Sequence, residues 1–424
     1  TDALGHTTTY SYDAAGNLIG MTDALGQAVG LEYDKNGRAT TAIQKNGGVL
    51  ATAYDKAGRV ISETDANKHT TRYRYGKTGL VSEITDALGQ KALFEYDALG
   101  NVTKITAPGN AVTQYAYDIS GRLTTQTDAT GLVTEYGYDE NSQLISVVTN
   151  GNESLYEYDA MGNVSSVTDA EGRCVKLTYD LNGNLTEIIY PDGTKDVTEY
   201  DALGRVVQST PRTGLATAYA YDESGNIVRM TQGEQTTAYE YDLLGRMVRQ
   251  IAADGTETAY AYDALGNLVG QTDELGNQTT FSYTAESLLE QVTYANGASQ
   301  SLSYDLAGNI IGETDAEGNA KQYQYDKANR LIAVVDELGG KTSYAYDAMD
   351  HIVQVTDALR HATKYTYDKD GNLTSETDAL GNRVQYAYTP EGWLSSVTKA
   401  DGAVMTFEYD KTGALTRQNV GDGQ

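Results

Sequence analysis

Histidines and carboxylates are the side chains of this sequence that could transfer protons. The 424 residues include four histidines, each directly after a predicted turn position: His6, His69, His351 and His361. We interpret them as solvated turn residues. Asp and Glu recur along the whole chain, whereas a general acid needs one environment that shifts its pKa. Without a Gly-x-Ser-x-Gly elbow or a phosphate-binding glycine loop, we expect no enzymatic activity and no catalytic, cofactor-binding or metal-binding residue.

Calcium binding is the metal chemistry that the sequence comes closest to offering. Asp368-Lys369-Asp370-Gly371-Asn372 is rich in oxygen ligands, but it lacks the spacing of an EF-hand and of calcium-binding nonapeptide repeats. We therefore interpret Asp368 as a turn residue that accepts hydrogen bonds from its own backbone, and keep calcium as the alternative.

Tyrosine is the other residue type with a functional interpretation, because the chain has 34 of them and exposed aromatic ladders can stack on sugar rings. Aromatics on one strand face usually pack instead, since each buries about 150–250 Å² of surface. We favour packing and keep glycan binding as the alternative. Trp393 follows Gly392, where it either exposes a large aromatic ring or covers a neighbouring turn.

Composition narrows the classes of function. Lys and Arg number 31 and Asp and Glu 59, giving a net charge of −28, which disfavours binding to nucleic acid or to anionic membranes. The single cysteine, Cys174, cannot form a disulfide within the chain, and we interpret it as a free thiol. No apolar stretch approaches the roughly 20 residues that span a bilayer.

An internal repeat dominates the sequence. Anchor tyrosines recur every 21 residues, or every 20 at two places: Tyr12, Tyr33, Tyr54, Tyr75, Tyr96, Tyr117, Tyr138, Tyr158, Tyr179, Tyr200, Tyr221, Tyr241, Tyr262, Tyr283, Tyr304, Tyr325, Tyr346, Tyr367, Tyr388 and Tyr409. Asp follows nearly all of them, and a second aromatic usually lies two residues before. Such periodicity outranks length as a guide to architecture. The pattern is already under way at residue 1, so we expect a fragment of a longer protein whose residues 1–424 are one continuous array of about twenty repeats.

Each repeat predicts a β-hairpin. Tyr10 and Tyr12 are two residues apart and so lie on one face of a strand. Asp13 is suited to the start of a type I turn, and Gly16 supplies the positive φ that closes a short loop with a bulge. In this register Tyr12 lies across from Leu18, as an aromatic–aliphatic pair.

A second turn joins one hairpin to the next, as in Thr22-Asp23-Ala24-Leu25-Gly26. Three of the four prolines, Pro108, Pro191 and Pro211 but not Pro390, lie near such turns, where a strand loses no hydrogen-bond donor. Two strands of about six residues remain in each repeat, the usual strand length. The chain therefore predicts an antiparallel meander of roughly forty strands.

Four hairpin loops lack the usual glycine and carry Ser142, Ser287, Asn329 or Asp350 instead. Asn and Asp tolerate positive φ better than Ser does. We expect irregular loops at these four positions, most of all near Ser287.

A flat sheet of forty strands is not stable, because strand twist accumulates and open sheets rarely exceed about ten strands without curling. We expect all-β hairpin repeats that wind as a spiral strip, with successive turns of the spiral packed edge to edge into a hollow shell or tube. The alternative is a propeller with two repeats in each four-stranded blade.

Segments such as Tyr262-Asp263-Ala264-Leu265-Gly266-Asn267-Leu268 resemble the YD repeats of the RHS family over the whole chain. This family includes bacterial RHS toxins, wall-associated proteins, the B and C components of Tc toxins, and teneurins. The resemblance implies a hairpin strip that spirals into a shell, a secreted or bacterial cell-surface location and, in the toxins, an enclosed C-terminal polypeptide as partner. The Asp-Pro segment that precedes self-cleavage in the toxins is absent from this sequence.

Two functions follow from this reasoning. The first is a structural scaffold, the wall of a shell or tube that encloses or displays another part of the parent protein. The second is an adhesin whose exposed tyrosines bind cell-surface glycans.

Overall fold

A computed structural model describes residues 1–421 as a succession of antiparallel strands. Their bounds are β1 Thr9–Tyr12, β2 Leu18–Thr22, β3 Ala28–Tyr33, β4 Ala39–Ile43, β5 Val49–Tyr54, β6 Val60–Thr64, β7 Thr70–Tyr75, β8 Val81–Thr85, β9 Lys91–Tyr96, β10 Val102–Thr106, β11 Val112–Tyr117, β12 Leu123–Thr127, β13 Val133–Tyr138, β14 Leu144–Thr149, β15 Asn152–Tyr158, β16 Val164–Thr168, β17 Cys174–Tyr179, β18 Leu185–Ile189, β19 Lys195–Tyr200, β20 Val206–Thr210, β21 Thr217–Tyr221, β22 Ile227–Gln232, β23 Gln235–Tyr241, β24 Met247–Ile251, β25 Glu257–Tyr262, β26 Leu268–Thr272, β27 Gln278–Tyr283, β28 Leu289–Thr293, β29 Ser299–Tyr304, β30 Ile310–Thr314, β31 Ala320–Tyr325, β32 Leu331–Val335, β33 Lys341–Tyr346, β34 Ile352–Thr356, β35 Ala362–Tyr367, β36 Leu373–Thr377, β37 Arg383–Tyr388, β38 Leu394–Thr398, β39 Val404–Tyr409 and β40 Leu415–Val420.

A single 3₁₀ turn, Pro108–Asn110, interrupts the strands of the described part of the chain. It replaces an ordinary turn between two hairpins, and the Asn110 N–H donates to the Ala107 carbonyl at 3.1 Å. Among residues 1–421, no helix has the length and apolar character that crossing a membrane would require. The predicted all-β class of tandem antiparallel hairpins is confirmed.

The register within a hairpin is the predicted one. Tyr12 pairs with Leu18, and the register shifts between Ser11 and Tyr12 because of a β-bulge. Strands also pair across the turns between hairpins, as β2 does with β3, β4 with β5 and β6 with β7. A propeller would break this pairing after every fourth strand. The propeller alternative is therefore wrong.

Two types of turn form the two edges of this strip. We call the loop inside a hairpin, such as Asp13–Asn17, a hairpin turn, and the connection to the next hairpin, such as Asp23–Gln27, a linker turn. Both close with the same pair of backbone hydrogen bonds, from the N–H of residue 1 to the carbonyl of residue 5 and from the N–H of residue 4 to the carbonyl of residue 1. Hairpin turns lie along one edge of the strip and linker turns along the other.

The loops without glycine keep this conformation, so the expected irregularity was wrong. Ser142, Ser287, Asn329 and Asp350 take φ between 60° and 67°, and each donates the usual hydrogen bond, at 3.0–3.4 Å. Lys68 and Arg360 take the same conformation in linker turns, with φ of 68° and 69°. The hydrogen bonds between the two flanking strands hold the turn in this conformation even where a residue with a Cβ atom replaces the usual glycine.

Little of the chain is buried, although the strands alternate in exposure. In β7, Tyr73 and Tyr75 are half-buried, whereas Arg72 and Arg74 are exposed. The anchor tyrosine and the aromatic residue two positions before it therefore lie on the same, more protected face of the strand. The buried hydrophobic residues of the described part are Ala66, Ala111, Ala333 and Val397. The accessible surface is 24881 Å², compared with about 16,000 Å² expected for a compact protein of this mass. Half-buried strand faces and hydrogen-bond ladders, repeated along the strip, therefore take the place of one central core.

The chain forms two compact units. The first comprises Thr1–Tyr73, Asp86–Leu88 and Arg205–Gly339, and the second comprises Arg74–Thr85, Gly89–Gly204 and the chain from Gly340 onward. Each unit therefore contains an earlier and a later stretch of the strip. The continuous array predicted for residues 1–424 includes residues 422–424, which lie outside the described part.

Candidate functional site

The aspartate after the anchor tyrosine organises each hairpin turn. In the first hairpin, Asp13 Oδ1 accepts hydrogen bonds from the N–H groups of Ala15 and Asn17, both at 2.9 Å. The Asn17 side chain donates to Asp13 Oδ2 at 2.8 Å. The hydrogen bond from the Asn17 side chain, followed by that from its backbone, lowers the pKa of Asp13 below its usual 3.8. Such carboxylates remain ionised acceptors, which suits them to structure and not to general-acid chemistry.

Where arginine replaces asparagine, the turn is also tied to the next hairpin. Arg246 Nε donates to Asp242 Oδ2 at 2.7 Å, within its own turn. Its Nη1 donates to the Asp263 carbonyl at 3.0 Å, and its guanidinium carbon lies 4.8 Å from the centre of the Tyr262 ring. Arg38, Arg122 and Arg205 stack in the same way on Tyr54, Tyr138 and Tyr221.

The anchor tyrosines connect neighbouring hairpins through their hydroxyl groups. Tyr262 Oη donates to the Met247 carbonyl of the preceding hairpin at 2.8 Å. The same bond, at 2.6–2.9 Å, is formed by Tyr33, Tyr54, Tyr96, Tyr117, Tyr138, Tyr158, Tyr200, Tyr221, Tyr241, Tyr283, Tyr304, Tyr325, Tyr367, Tyr388 and Tyr409. From Tyr33 onward the anchor rings are half-buried. They do not form the open aromatic ladder that sugar stacking needs.

The four histidines occupy turn positions, and each lies beside the aspartate that opens its turn. The Nδ1–Oδ2 distances are 2.9–3.4 Å for His6–Asp2, His69–Asp65, His351–Asp347 and His361–Asp357. His351 also stacks on Tyr367, with ring centres 4.7 Å apart. Trp393 makes the equivalent contact with Tyr409 at 5.5 Å and is half-buried, so it covers the neighbouring repeat. Cys174 is a half-buried free thiol at the start of β17.

The candidate calcium loop is a hairpin turn of the ordinary kind. Asp368 Oδ1 accepts from the N–H groups of Asp370 and Asn372 at 3.0 and 2.9 Å, and its Oδ2 accepts from the Asn372 side chain at 3.0 Å. Both oxygens are therefore occupied as hydrogen-bond acceptors. Within residues 1–421, no three His, Cys, Asp or Glu side chains are grouped to hold a metal ion.

Contacts between distant repeats agree with the expected edge-to-edge packing, but the sequence did not specify which turns would meet. In the first compact unit, Glu286 Oε1 accepts from the Asn46 N–H at 3.0 Å, and Asp305 Oδ2 accepts from Asn67 Nδ2 at 2.9 Å. In each contact a linker turn of the earlier stretch meets a hairpin turn of the later one. We call this line of contacts the seam.

The second compact unit has a seam of the same design. Glu171 Oε1 accepts from the Lys411 N–H at 3.0 Å, and Arg173 Nη2 donates to Thr412 Oγ1 at 2.6 Å. Glu391 accepts from the Asn150 side chain. Across both units these partners are 238–241 residues apart, so 240 residues divided by the 21-residue period places them about 11 repeats apart. Exposed turn carboxylates and amides were the available signal, but nothing in the repeat specifies this separation.

An open cleft of ≈ 1100 Å³ lies beside this second seam. Tyr386, Pro390 and Val148 line it together with carboxylates, among them Asp128 and Glu135. Its lining includes no histidine or cysteine that could act as base or nucleophile. The cleft is an open gap along the second seam.

Comparison with known proteins relates this geometry to a family. The family model described as Teneurin YD-shell matches residues 2–152 and 290–424. The RHS Repeat model matches residues 138–173, 158–195, 200–237 and 262–299. No curated protein matches the chain.

A solved structure shares this fold. The crystal structure of TcdB2-TccC3-TEV is 15% identical with a TM-score of 0.74, and the match covers 98% of this chain and 28% of that one. The Tc holotoxin pore of Photorhabdus luminescens is 14% identical with a TM-score of 0.34, covering 98% of this chain and 32% of that one. The chain thus spans less than a third of the length of these relatives. Because the Teneurin YD-shell model matches well over half of its residues, the chain belongs to the Teneurin YD-shell family.

Proposed function

We propose that residues 1–424 are one continuous repeat array that forms part of the wall of a shell, and that this shell encloses another polypeptide of the parent protein. The seam is the observation that carries the proposal. A strip whose linker edge fits its own hairpin edge about 11 repeats later is able to build a wall from successive windings. Family membership and the fold shared with TcdB2-TccC3-TEV support it.

A passive role fits the chemistry of the described residues. The turn aspartates and anchor tyrosines use their polar atoms to fasten backbone within and between hairpins, as Asp13 and Tyr262 do. The histidines pair with turn aspartates and not with a nucleophile. We therefore propose a scaffold without catalytic, cofactor-binding or metal-binding residues, which acts in a secreted toxin or a cell-surface protein.

Electron cryo-microscopy of the parent protein, combined with limited proteolysis, tests the proposal. A closed wall with density inside and a protected C-terminal piece that is released only on unfolding would support it. An open or empty tube with a protease-accessible C-terminal region would overturn enclosure and favour display or glycan adhesion.

Variants of the seam sharpen this test. The double variant Arg173→Glu/Glu391→Lys removes seam contacts in the second unit without changing the net charge. It should expose the enclosed piece to protease while the hairpins stay folded. Arg72→Glu/Glu199→Lys makes the same exchange at exposed strand residues away from both rows of turns and should leave protection unchanged. Equal protection in both variants would contradict a sealing role for the seam.

A further inference from the structure

A groove runs along the seam of the second compact unit. Three clefts of ≈ 290, ≈ 650 and ≈ 1100 Å³ follow one another there. Gly109 and Ala348 line both the first cleft and the second, and Thr130 and Asp368 line both the second and the third. All of the lining residues belong to the second unit. We call the three clefts together the seam groove.

Contacts across the seam fix the two sides of the groove. The Met349 side chain packs on Gly109, with Cγ only 3.1 Å from the position that an added Cβ atom would take. Further along the seam, Glu391 accepts a hydrogen bond from the Asn150 side chain. The groove is therefore a space between fixed walls, and not a place where the two stretches have separated.

Between these two contacts, one carboxylate faces another across the groove. Asp128 and Asp368 both line the widest cleft, and they are as far apart in sequence as Glu171 and Lys411, which meet in the seam. Both carboxylates accept hydrogen bonds from backbone N–H groups of their own turns. Since like charges repel, these two turns do not close on each other, and a positive charge placed between them would be attracted by both.

The groove is widest beside the shortest linker turn of its stretch. Asn150 and Gly151 alone join β14 to β15, whereas five residues join β12 to β13. Both residues line the widest cleft, and Gly151 has no side chain to fill the space. This short turn belongs to the 20-residue repeat between Tyr138 and Tyr158. The groove therefore lies where the repeat departs from its regular length.

The lining of the widest cleft combines apolar and acidic side chains. Val148, Tyr386 and Pro390 supply apolar surface. The carboxylates are those of Asp128, Glu135, Asp368, Asp370 and Glu391, and among the described residues no lysine, arginine or histidine lines this cleft. Binding sites are typically concave and largely apolar, with a few polar groups that select the ligand. Here the selecting groups are negatively charged.

We infer that the seam groove binds an extended segment of a second protein that carries arginine or lysine side chains. Side chains of an extended segment alternate in direction, so basic residues can meet the carboxylates while the residues between them meet Val148 and Tyr386. Complementary charge of this kind also favours a basic partner over an acidic one. The inference goes beyond a wall that encloses a polypeptide, because it does not require the shell to close.

The length of the groove suits a short segment. The hairpin turns that line it begin at Asp347, Asp368 and Thr389 in three consecutive repeats. Two repeats comprise four strands, which span roughly 19 Å across a sheet, or about six residues of extended chain. A segment of this length would contact both the linker turns and the hairpin turns of the seam.

Fluorescence anisotropy tests the charge requirement, with a labelled octapeptide of alternating arginine and valine added to the 424-residue chain in 0.15 M salt. Asp370→Gln/Glu135→Gln removes two groove carboxylates and should weaken binding about fivefold. The control Glu317→Gln/Glu199→Gln removes two exposed carboxylates outside the groove, one in a turn and one on a strand, and should bind as the unmodified chain does. Equal weakening in both variants, or no binding by the unmodified chain, would overturn the inference.

A steric variant tests the location without changing the charge. Ala387 lines the widest cleft and is exposed on β37, so Ala387→Trp should fill the groove and abolish binding. Ala345→Trp makes the same change at the equivalent exposed position of β33, two repeats earlier, and should bind normally. Circular dichroism confirms that both variants keep their strands. Normal binding by Ala387→Trp, or equally tight binding of an octapeptide with glutamate in place of arginine, would contradict the inference.

Discussion

At the scale of the residue, the anchor tyrosine has two separate roles. Its ring pairs across the hairpin with the aliphatic residue that follows the turn, as Tyr12 does with Leu18. Its hydroxyl group reaches back to the preceding hairpin, as Tyr262 does to the Met247 carbonyl. Phenylalanine could perform the first role alone, which explains why tyrosine is the residue that recurs.

Tyr262→Phe should therefore destabilise the chain by about 0.5–1.5 kcal/mol, the usual contribution of one hydrogen bond. The ring contacts remain, while the Met247 carbonyl loses a donor. Equilibrium denaturation measures the change. Tyr12→Phe is the matched control, because Tyr12 belongs to the first hairpin and is 59% exposed. An equal decrease in the free energy of unfolding in both variants would show that the hydrogen bond from the Tyr262 hydroxyl group does not stabilise the chain.

The tyrosine two residues before an anchor tyrosine can form a different hydrogen bond. Tyr323 Oη donates to Glu313 Oε2 at 2.6 Å, and this bond, together with burial, raises the pKa of Tyr323 to about 12. Because the folded pKa exceeds the ordinary value of 10.0, the stabilisation is complete below pH 10 and is lost as the pH rises towards 12.

Glu313→Gln should lower the Tyr323 pKa towards 10, since a neutral acceptor holds the phenol proton less strongly. NMR of tyrosines labelled at Cζ follows this titration, with Tyr323→Phe used to assign the signal. Glu290→Gln alters an exposed carboxylate elsewhere and should leave the titration unchanged. An unchanged Tyr323 pKa in Glu313→Gln would contradict the explanation that the hydrogen bond to Glu313 raises it.

At the scale of the element, the turns explain why much of the hairpin could be predicted. The roles of Asp13 and Gly16 and the pairing of Tyr12 with Leu18 follow from local sequence, and the structure confirms them. The irregularity expected near Ser287 was wrong, because the ladders on both sides outweigh the strain of one residue at positive φ. The reach of Arg246 to the next hairpin was missed, since it depends on the register between hairpins.

That strain should be measurable. Arg360 takes φ of 69° in a linker turn, a conformation that costs a side-chain-bearing residue roughly 1–2 kcal/mol. Arg360→Gly should therefore raise the midpoint of thermal unfolding.

Gly381→Ala is the reverse exchange at the corresponding position of the next linker turn. Gly381 has φ of 86° and no atom within 4 Å of an added Cβ, so only backbone strain should lower the midpoint. Shifts of the same sign in the two variants would contradict this account.

At the scale of the whole molecule, local hydrogen bonds and net charge make opposite predictions about acid. Protonating carboxylates relieves the repulsion that accompanies a net charge of −28. It also removes turn acceptors such as Asp13 and Asp97, whose pKa values lie below 3.8 because asparagine side chains donate hydrogen bonds to them. Stability from these acceptors is fully present above pH 3.8 and is lost as the pH falls through the folded pKa values.

We expect the loss of turn hydrogen bonds to determine how acid changes the stability, because the turns recur in every repeat and long-range repulsion is screened by salt. In 0.15 M salt the melting temperature should be level above about pH 5 and should fall below pH 3.8. Differential scanning calorimetry across this range provides the measurement. A melting temperature that rises on acidification would show that repulsion dominates.

The seam could not be predicted because it depends on the whole strip. Its partners are 238–241 residues apart in several contacts and 260–264 residues apart in others, and these separations result from small twists that accumulate over many strands. No single repeat specifies that sum. The sequence could therefore predict the winding of the strip but not which turns would meet.

These separations restrict how the gene can change length. An in-frame duplication of one repeat would leave every turn intact, yet between seam partners it would shift one stretch by two strands, or roughly 9–10 Å. Asn46 would then face the wrong hairpin, and so would Glu171. Duplications inside one winding should therefore be selected against, although each added hairpin would fold well by itself.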